Sequence, residues 1–212
     1  NMEGLGGGGT RAQQEQWLKP LLAGEMRSAD AMTEPGVASS DAKNISTTAV
    51  LDGDEWVING SKMWPTNSGK VGDLYVTICT TKLGSTDPDV CALILVPAET
   101  KGVKVGGAYP KCGMSADMNT EIWFDNVRVP KRYRLHGPGD DLKYWRRSLV
   151  IGSMASAAMC VGVMKSVYEI IKDYTTTRVV AGTPLTEHSI VAETLCALAM
   201  SIESSSAWLW AY

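Results

Sequence analysis

The sequence has no surplus of either charge: 20 Lys and Arg stand against 23 Asp and Glu, a formal net charge of −3 over 212 residues. A surface that neutralises phosphates needs a basic excess, so nucleic acid is excluded as a partner, and a polybasic membrane patch with it. Charged residues are scarce too, 20 % against 44 % hydrophobic, which excludes intrinsic disorder. The five cysteines (Cys79, Cys91, Cys112, Cys160, Cys196) are scattered, odd in number and without a Cys-x-x-Cys pair. That leaves no disulfide frame and no zinc or other metal site, and predicts reduced, mostly buried thiols of an intracellular protein. Leu149 to Met164 carries no charge but falls short of the roughly 20 residues a bilayer span needs. Its Gly, Ala and Ser content suits a close-packed helix of a soluble bundle. A signal-peptide layout is missing. The chain opens abruptly and stops at Tyr212 inside an apolar helical pattern, as expected of a fragment at both ends.

What is present changes character twice. Thr10 to Glu25 has helical spacing, with Trp17, Leu18, Leu21 and Leu22 on one face, Thr10 as N-cap and Gly24 as stop. The glycine tract Gly6 to Gly9 predicts a loop, because each glycine costs about 1 kcal/mol in a helix relative to alanine. From Ala29 to Pro130 the signals are strands and turns. Ile45 to Leu51 and Glu55 to Asn59, joined by Asp52-Gly53-Asp54, read as a hairpin. Leu74 to Thr80, Cys91 to Pro97, Val103 to Gly106 and Glu121 to Phe124 read as further strands, short and separated by Gly, Pro and Asp. An antiparallel barrel or sandwich follows. After Pro138 the period becomes helical, with one long helix over Leu142 to Thr176 and a second over Thr186 to Tyr212, broken at Arg178 to Leu185. The expected fold class is α+β, with domains at 1–28 (helical), 29–139 (β) and 140–212 (helical).

Two segments carry candidate chemistry. Ala31-Met-Thr-Glu-Pro35, followed by Val37-Ala-Ser-Ser-Asp41, places small hydroxyl residues in a loop after a strand. Such a loop can approach a planar heterocycle or a phosphate, or it can be a polar turn capped by Asp41. In Val57-Ile-Asn-Gly-Ser-Lys-Met-Trp-Pro-Thr-Asn67, an aromatic stands two residues before a hydroxyl. Trp64 can stack on a ring system with Thr66 bonding its edge, or it can be core. Asp117 and Glu121 read as a solvated edge, His136 as an exposed junction residue, and Trp208 and Trp210 as lying on different helix faces.

Together these runs closely resemble the acyl-CoA dehydrogenase family. The Thr-Glu-Pro run ending Ser-Ser-Asp41, Asn59-Gly-x-Lys-x-Trp-x-Thr-Asn67, Phe124-Asp-Asn-Val-Arg-Val-Pro130, and Tyr174-Thr-Thr-Thr-Arg178 with Gly182-Thr-Pro-Leu185 occur in the family's order. The form of the first run is similar to large, atypical members. The resemblance implies an antiparallel, barrel-like middle β-domain followed by the start of a C-terminal helical bundle. It implies FAD as cofactor: Met32 and Thr33 at the flavin pyrimidine edge, and Ser39 and Ser40 beside the cofactor phosphates, with Ser40 also at the acyl-CoA. Trp64 would pack on the isoalloxazine and Thr66 would donate to flavin N5. Arg178 would reach the FAD diphosphate of a neighbouring subunit, hence a homodimer or homotetramer, or a hetero-oligomer. Arg178 also has a plainer role, complementing a helix C-terminal dipole.

The implied reaction is α,β-dehydrogenation of an acyl-CoA thioester, with electrons passed to an electron-transfer flavoprotein, in the cytoplasm or, in a eukaryote, the mitochondrial matrix. An acyl-CoA oxidase and a non-catalytic subunit completing a site in a hetero-oligomer are the alternatives. The family pattern is broken at Ser189, where Gln is usual, and at Ser153, where most members carry Arg. Gly152 stands where some members hold the catalytic Glu. Most hold that base further downstream, so no catalytic base is assigned within these residues.

Overall fold

The computed structural model describes residues 2–37, 44–69, 72–85 and 87–211. It divides into two compact units, residues 1–148 and 149–212. The first turns of α4 (Asp140–Thr177), up to Ser148, group with the first unit and the rest of the helix with the second.

The first unit starts with α1 (Met2–Gly8), where the glycine tract predicted a loop. Tertiary contacts override the propensity. Leu5 is fully buried, and the Gly8 Cα lies so close to the His136 ring that a Cβ would sit 1.8 Å from it. The Gln14 side chain also donates to the Leu5 and Gly6 carbonyls. Thr10 then forms a reciprocal capping box with Gln13 over α2 (Arg11–Gln13). A π turn at Gln14–Leu18 leads into α3 (Lys19–Ala23), which Gly24 ends in a left-handed conformation. The π turn breaks the predicted stripe: Trp17 and Leu21 are buried, whereas Leu22 is exposed.

The sheet comprises β1 (Ser28–Ala31), β2 (Thr48–Asp52), β3 (Glu55–Thr66), β4 (Leu74–Thr80), β5 (Cys91–Pro97), β6 (Val103–Val105) and β7 (Asn119–Pro130). Its order is β1-β4-β2-β3-β7-β6, with β5 on β4. Pairing is antiparallel except for β1 with β4 and a single β2–β4 contact, so the sheet is mixed but mostly antiparallel, in line with the antiparallel barrel or sandwich expected. The β2–β3 hairpin closes on Gly53, whose positive φ suits the first place of a type II′ turn. Alternation along β4 and β5 sends residues to two cores. Tyr75, Cys79, Ala92, Ile94 and Val96 pack with Ile58, Phe124 and Val127 inside the curl. Leu74, Val76, Ile78, Cys91, Leu93 and Leu95 pack on the other face with Leu5, Trp17 and Leu21. Both strands are therefore buried, apart from half-buried Pro97, and Cys79 and Cys91 are buried free thiols; Cys112, Cys160 and Cys196 are free but exposed, against the mostly buried thiols expected. Burial pushes Cys79 up to about 12 and Cys91 up to about 11, so both stay protonated.

In the second unit α4 ends at Thr177. A short hairpin of β8 (Val179–Val180) and β9 (Thr183–Pro184) follows, turning at Ala181 and Gly182, both at positive φ. A 3-10 turn at Leu185–Glu187 leads to α5 (Ser189–Ala211). By length and composition alone α4 could cross a membrane.

Candidate functional site

The register of β3 against β7 shifts between Met63 and Thr66, so the strand bulges at Trp64 and Pro65. Trp64 takes φ 66 there, a left-handed conformation that is uncommon for a bulky residue and costs on the order of 1–3 kcal/mol. The residue is 55 % exposed. Several contacts hold the bulge in place. The Asn119 side-chain amide donates to the Trp64 carbonyl at 2.8 Å and to Thr66 Oγ1 at 3.1 Å. Buried Ser68 donates to the Pro65 carbonyl at 2.6 Å and accepts from both the backbone N–H and the hydroxyl of Thr120 at 2.9 Å. The Met63 N–H donates to the Thr33 carbonyl at 2.8 Å, tying the bulge to the loop that follows β1.

That loop is anchored from below by a buried ion pair. Lys62 is wholly shielded from solvent, and its ammonium donates to the Met32 carbonyl at 2.9 Å and to Glu34 Oε1 at 2.8 Å. Glu34 accepts further from the Thr47 N–H on Oε1, and from the Ser46 N–H and hydroxyl on Oε2. Burial pushes the Glu34 carboxyl up, but the Lys62 charge and these donors outweigh it and hold it at about 2. Burial is likewise the largest influence on Lys62 and lowers its pKa, with neighbouring Cys79 and Glu34 opposing the shift.

Between the loop and the bulge lies a cavity of about 340 Å³. Met32, Thr33, Trp64 and Thr66 all line it, so the structure brings together four of the residues singled out in the sequence. Ser39 and Ser40 lie outside the described residues. Arg178 belongs to the second unit. It follows the last turn of α4, donates its N–H to the Tyr174 carbonyl and accepts from the Leu185 N–H. Its side chain is exposed, and no ion pair to it is found among the described residues. His136 departs from expectation: it is half-buried, stacked on Tyr144 at 3.8 Å, with burial lowering its pKa. Glu121 accepts only a long hydrogen bond from Tyr109, and Asp117 offers its backbone carbonyl to Lys111, so these two form no acid pair.

Glu34, Lys62 and Asn119 were passed over in the sequence. A signal existed for Lys62. Counting by twos from Trp56 and Ile58 puts it on the inward face of β3, where an amine demands an acid. Glu34, between the two hydroxyl-rich halves of its loop, is the acid in reach. Nothing local marked Asn119.

The curled sheet, the hydroxyl-lined rim and the indole at its bulge define an α+β protein suited to a flat ligand with a polar edge. Two family models settle the lineage. "Acyl-CoA dehydrogenase, middle domain" matches residues 29–127, and "Acyl-CoA dehydrogenase, C-terminal domain" matches residues 142–212. The chain belongs to the acyl-CoA dehydrogenase family. It is 35 % identical over 201 residues to a probable acyl-CoA dehydrogenase, FadE2, of Mycobacterium tuberculosis, covering 92 % of this chain and 48 % of the relative. Among solved structures it is similar to butyryl-CoA dehydrogenase from Megasphaera elsdenii, with a TM-score of 0.92 and 26 % identity, covering 99 % of this chain and 54 % of that one. It also resembles an FAD-dependent dehydrogenase, with a TM-score of 0.91 and 27 % identity, covering 98 % of this chain and 55 % of that one. The chain thus spans about half the length of the curated relatives it matches.

Proposed function

We propose that this chain is the flavin-binding β-domain and the leading bundle helices of an FAD-dependent acyl-CoA dehydrogenase. The enzyme would oxidise the α,β-bond of an acyl-CoA thioester and pass the electrons to an electron-transfer flavoprotein. The observation that carries the reading is the convergence of Met32, Thr33, Trp64 and Thr66 on one rim cavity. The donor set fits a flavin. Two hydroxyls and a backbone edge meet a heterocycle's polar rim, and an exposed indole offers a flat apolar wall.

Bound FAD supplies the hydride acceptor. Met32 and Thr33 would hold the pyrimidine edge through backbone and hydroxyl. The Trp64 ring would pack on the isoalloxazine and shield it from water. The Thr66 hydroxyl would donate to N5, where negative charge develops. Arg178 presents an exposed guanidinium fork suited to a diphosphate, which supports a homodimer or homotetramer in which one subunit serves its neighbour's cofactor. Ser39 and Ser40 are assigned to the cofactor phosphates and acyl-CoA by resemblance alone. The apolar surface of α4 is assigned to bundle packing, because residues 142–212 match the family's helical domain. The cytoplasm, or the mitochondrial matrix of a eukaryote, is the proposed site of action.

One observation favours a second reading, a non-catalytic subunit. Gly152 and Ser153 occupy α4 where some members carry the Glu base and most an Arg. Anaerobic absorbance titration of the full-length protein with acyl-CoA thioesters of graded length separates the two. A dehydrogenase bleaches its flavin band with at least one thioester. A flavin that no thioester bleaches supports the subunit reading, and protein without flavin contradicts the dehydrogenase reading.

A further inference from the structure

Thr66 lies in a hydrogen-bonded chain that fixes which way its proton faces. The Lys111 ammonium lies 2.5 Å from Asn119 Oδ1 and 2.6 Å from the Asp117 carbonyl. An ammonium only donates, so the amide terminus facing it must be the oxygen, and the orientation of the Asn119 amide is set. The NH2 end then faces the Trp64 carbonyl at 2.8 Å and Thr66 Oγ1 at 3.1 Å, two hydrogens for two acceptors. A threonine hydroxyl left alone turns to donate or accept as its neighbour requires. Here its oxygen already accepts, and among the described residues no acceptor takes its proton. The open direction is the cavity that Thr66 lines.

We propose that Asn119, oriented by Lys111, is a positioning residue that keeps Thr66 a hydrogen-bond donor into the rim cavity. Resting on the flavin reading above, this makes Thr66 a preset donor to the flavin edge that gains charge on reduction. The same amide holds the Trp64 carbonyl, so one side chain sets both the wall of the site and the polarity of its rim.

Asn119→Asp tests this at nearly constant shape. A carboxylate still satisfies Lys111 but becomes an acceptor, so the Thr66 hydroxyl turns its proton away from the cavity. Full-length wild type, Asn119→Asp, Thr66→Val and the double variant are compared in three ways. FAD affinity is read by flavin-fluorescence titration of the apoprotein, the flavin midpoint potential by dye equilibration, and the reduction rate by stopped flow with a bleaching thioester. Asn119→Asp is expected to lower the potential and slow reduction about tenfold, the scale of one lost hydrogen bond. Thr66→Val should do the same, and the double variant should lose less than the product of the two single losses, keeping only the smaller part that comes from a carboxylate facing the Trp64 carbonyl. Wild-type potential and rate in Asn119→Asp overturn the proposal, as do effects that multiply in the double variant, since a carboxylate acting merely through its charge would persist without the hydroxyl. If Asn119→Asp does not fold, Lys111→Met, which frees the amide to flip, must show a smaller loss that shrinks in the Thr66→Val background; a loss that is undiminished there overturns the proposal. A wild-type apoprotein that takes up no FAD overturns the flavin reading itself, before any variant is compared.

Discussion

Lys62 and Glu34 form the most consequential side-chain pair in the β-domain. Neither touches the cavity, yet together they fix the carbonyl of Met32 and the loop that carries Thr33. Lys62→Met would leave a buried carboxylate without its cation, and a loss of about 3–5 kcal/mol is expected in chemical denaturation, the usual cost of breaking such a pair on one side. The pair also predicts a pH dependence. Glu34 has its folded pKa held at about 2, below the ordinary 4.5, so the unfolded chain binds that proton more tightly. Its contribution is present above pH 4.5 and is lost as pH falls towards 2. Glu34→Gln should therefore flatten the acid limb of stability between those values, as followed by tryptophan fluorescence. An unchanged acid slope would remove Glu34 from this role.

Among the elements, β3 does the most to build the site, and the way it bends was only half legible in the sequence. Short β-branched runs between Gly, Pro and Asp gave the bounds of β4 and β5 correctly, because alternation into two cores leaves those strands no solvent face. The reading of β3 stopped at Asn59, whereas the strand runs on to Thr66. In the structure Gly60 sits inside the strand at φ +147, where a Cβ would come within 2.7 Å of the Thr47 Cα. Gly60→Ala should cost on the order of 1–3 kcal/mol in thermal or chemical unfolding. Wild-type stability would show that Thr47 does not press on this position. The bulge at Trp64 was invisible for a different reason: it is held by Asn119 and Thr120, far away in the chain. The glycines of α1 read as a loop for a similar reason, because the His136 ring that packs against Gly8 lies at the other end of the β-domain sequence.

For the molecule as a whole, the family and the α+β class were readable because ordered motifs span both units, whereas the catalytic base was not, because the chain spans about half of its relatives' length. Arg178 is the residue through which the assembly is tested. Arg178→Ala should weaken FAD retention during gel filtration while the circular dichroism of the β-domain stays unchanged, and native mass spectrometry should find an oligomer. A monomer that keeps its full complement of FAD would contradict the shared-cofactor arrangement. The central claim is that the rim between the β1 loop and the β3 bulge is the flavin site. A crystal structure of the full-length protein grown with FAD tests it most directly. The account predicts the isoalloxazine against the Trp64 indole, with the Thr66 hydroxyl within hydrogen-bonding distance of N5 and Met32 and Thr33 at the pyrimidine edge. A flavin bound elsewhere, with this rim filled only by solvent, would contradict it.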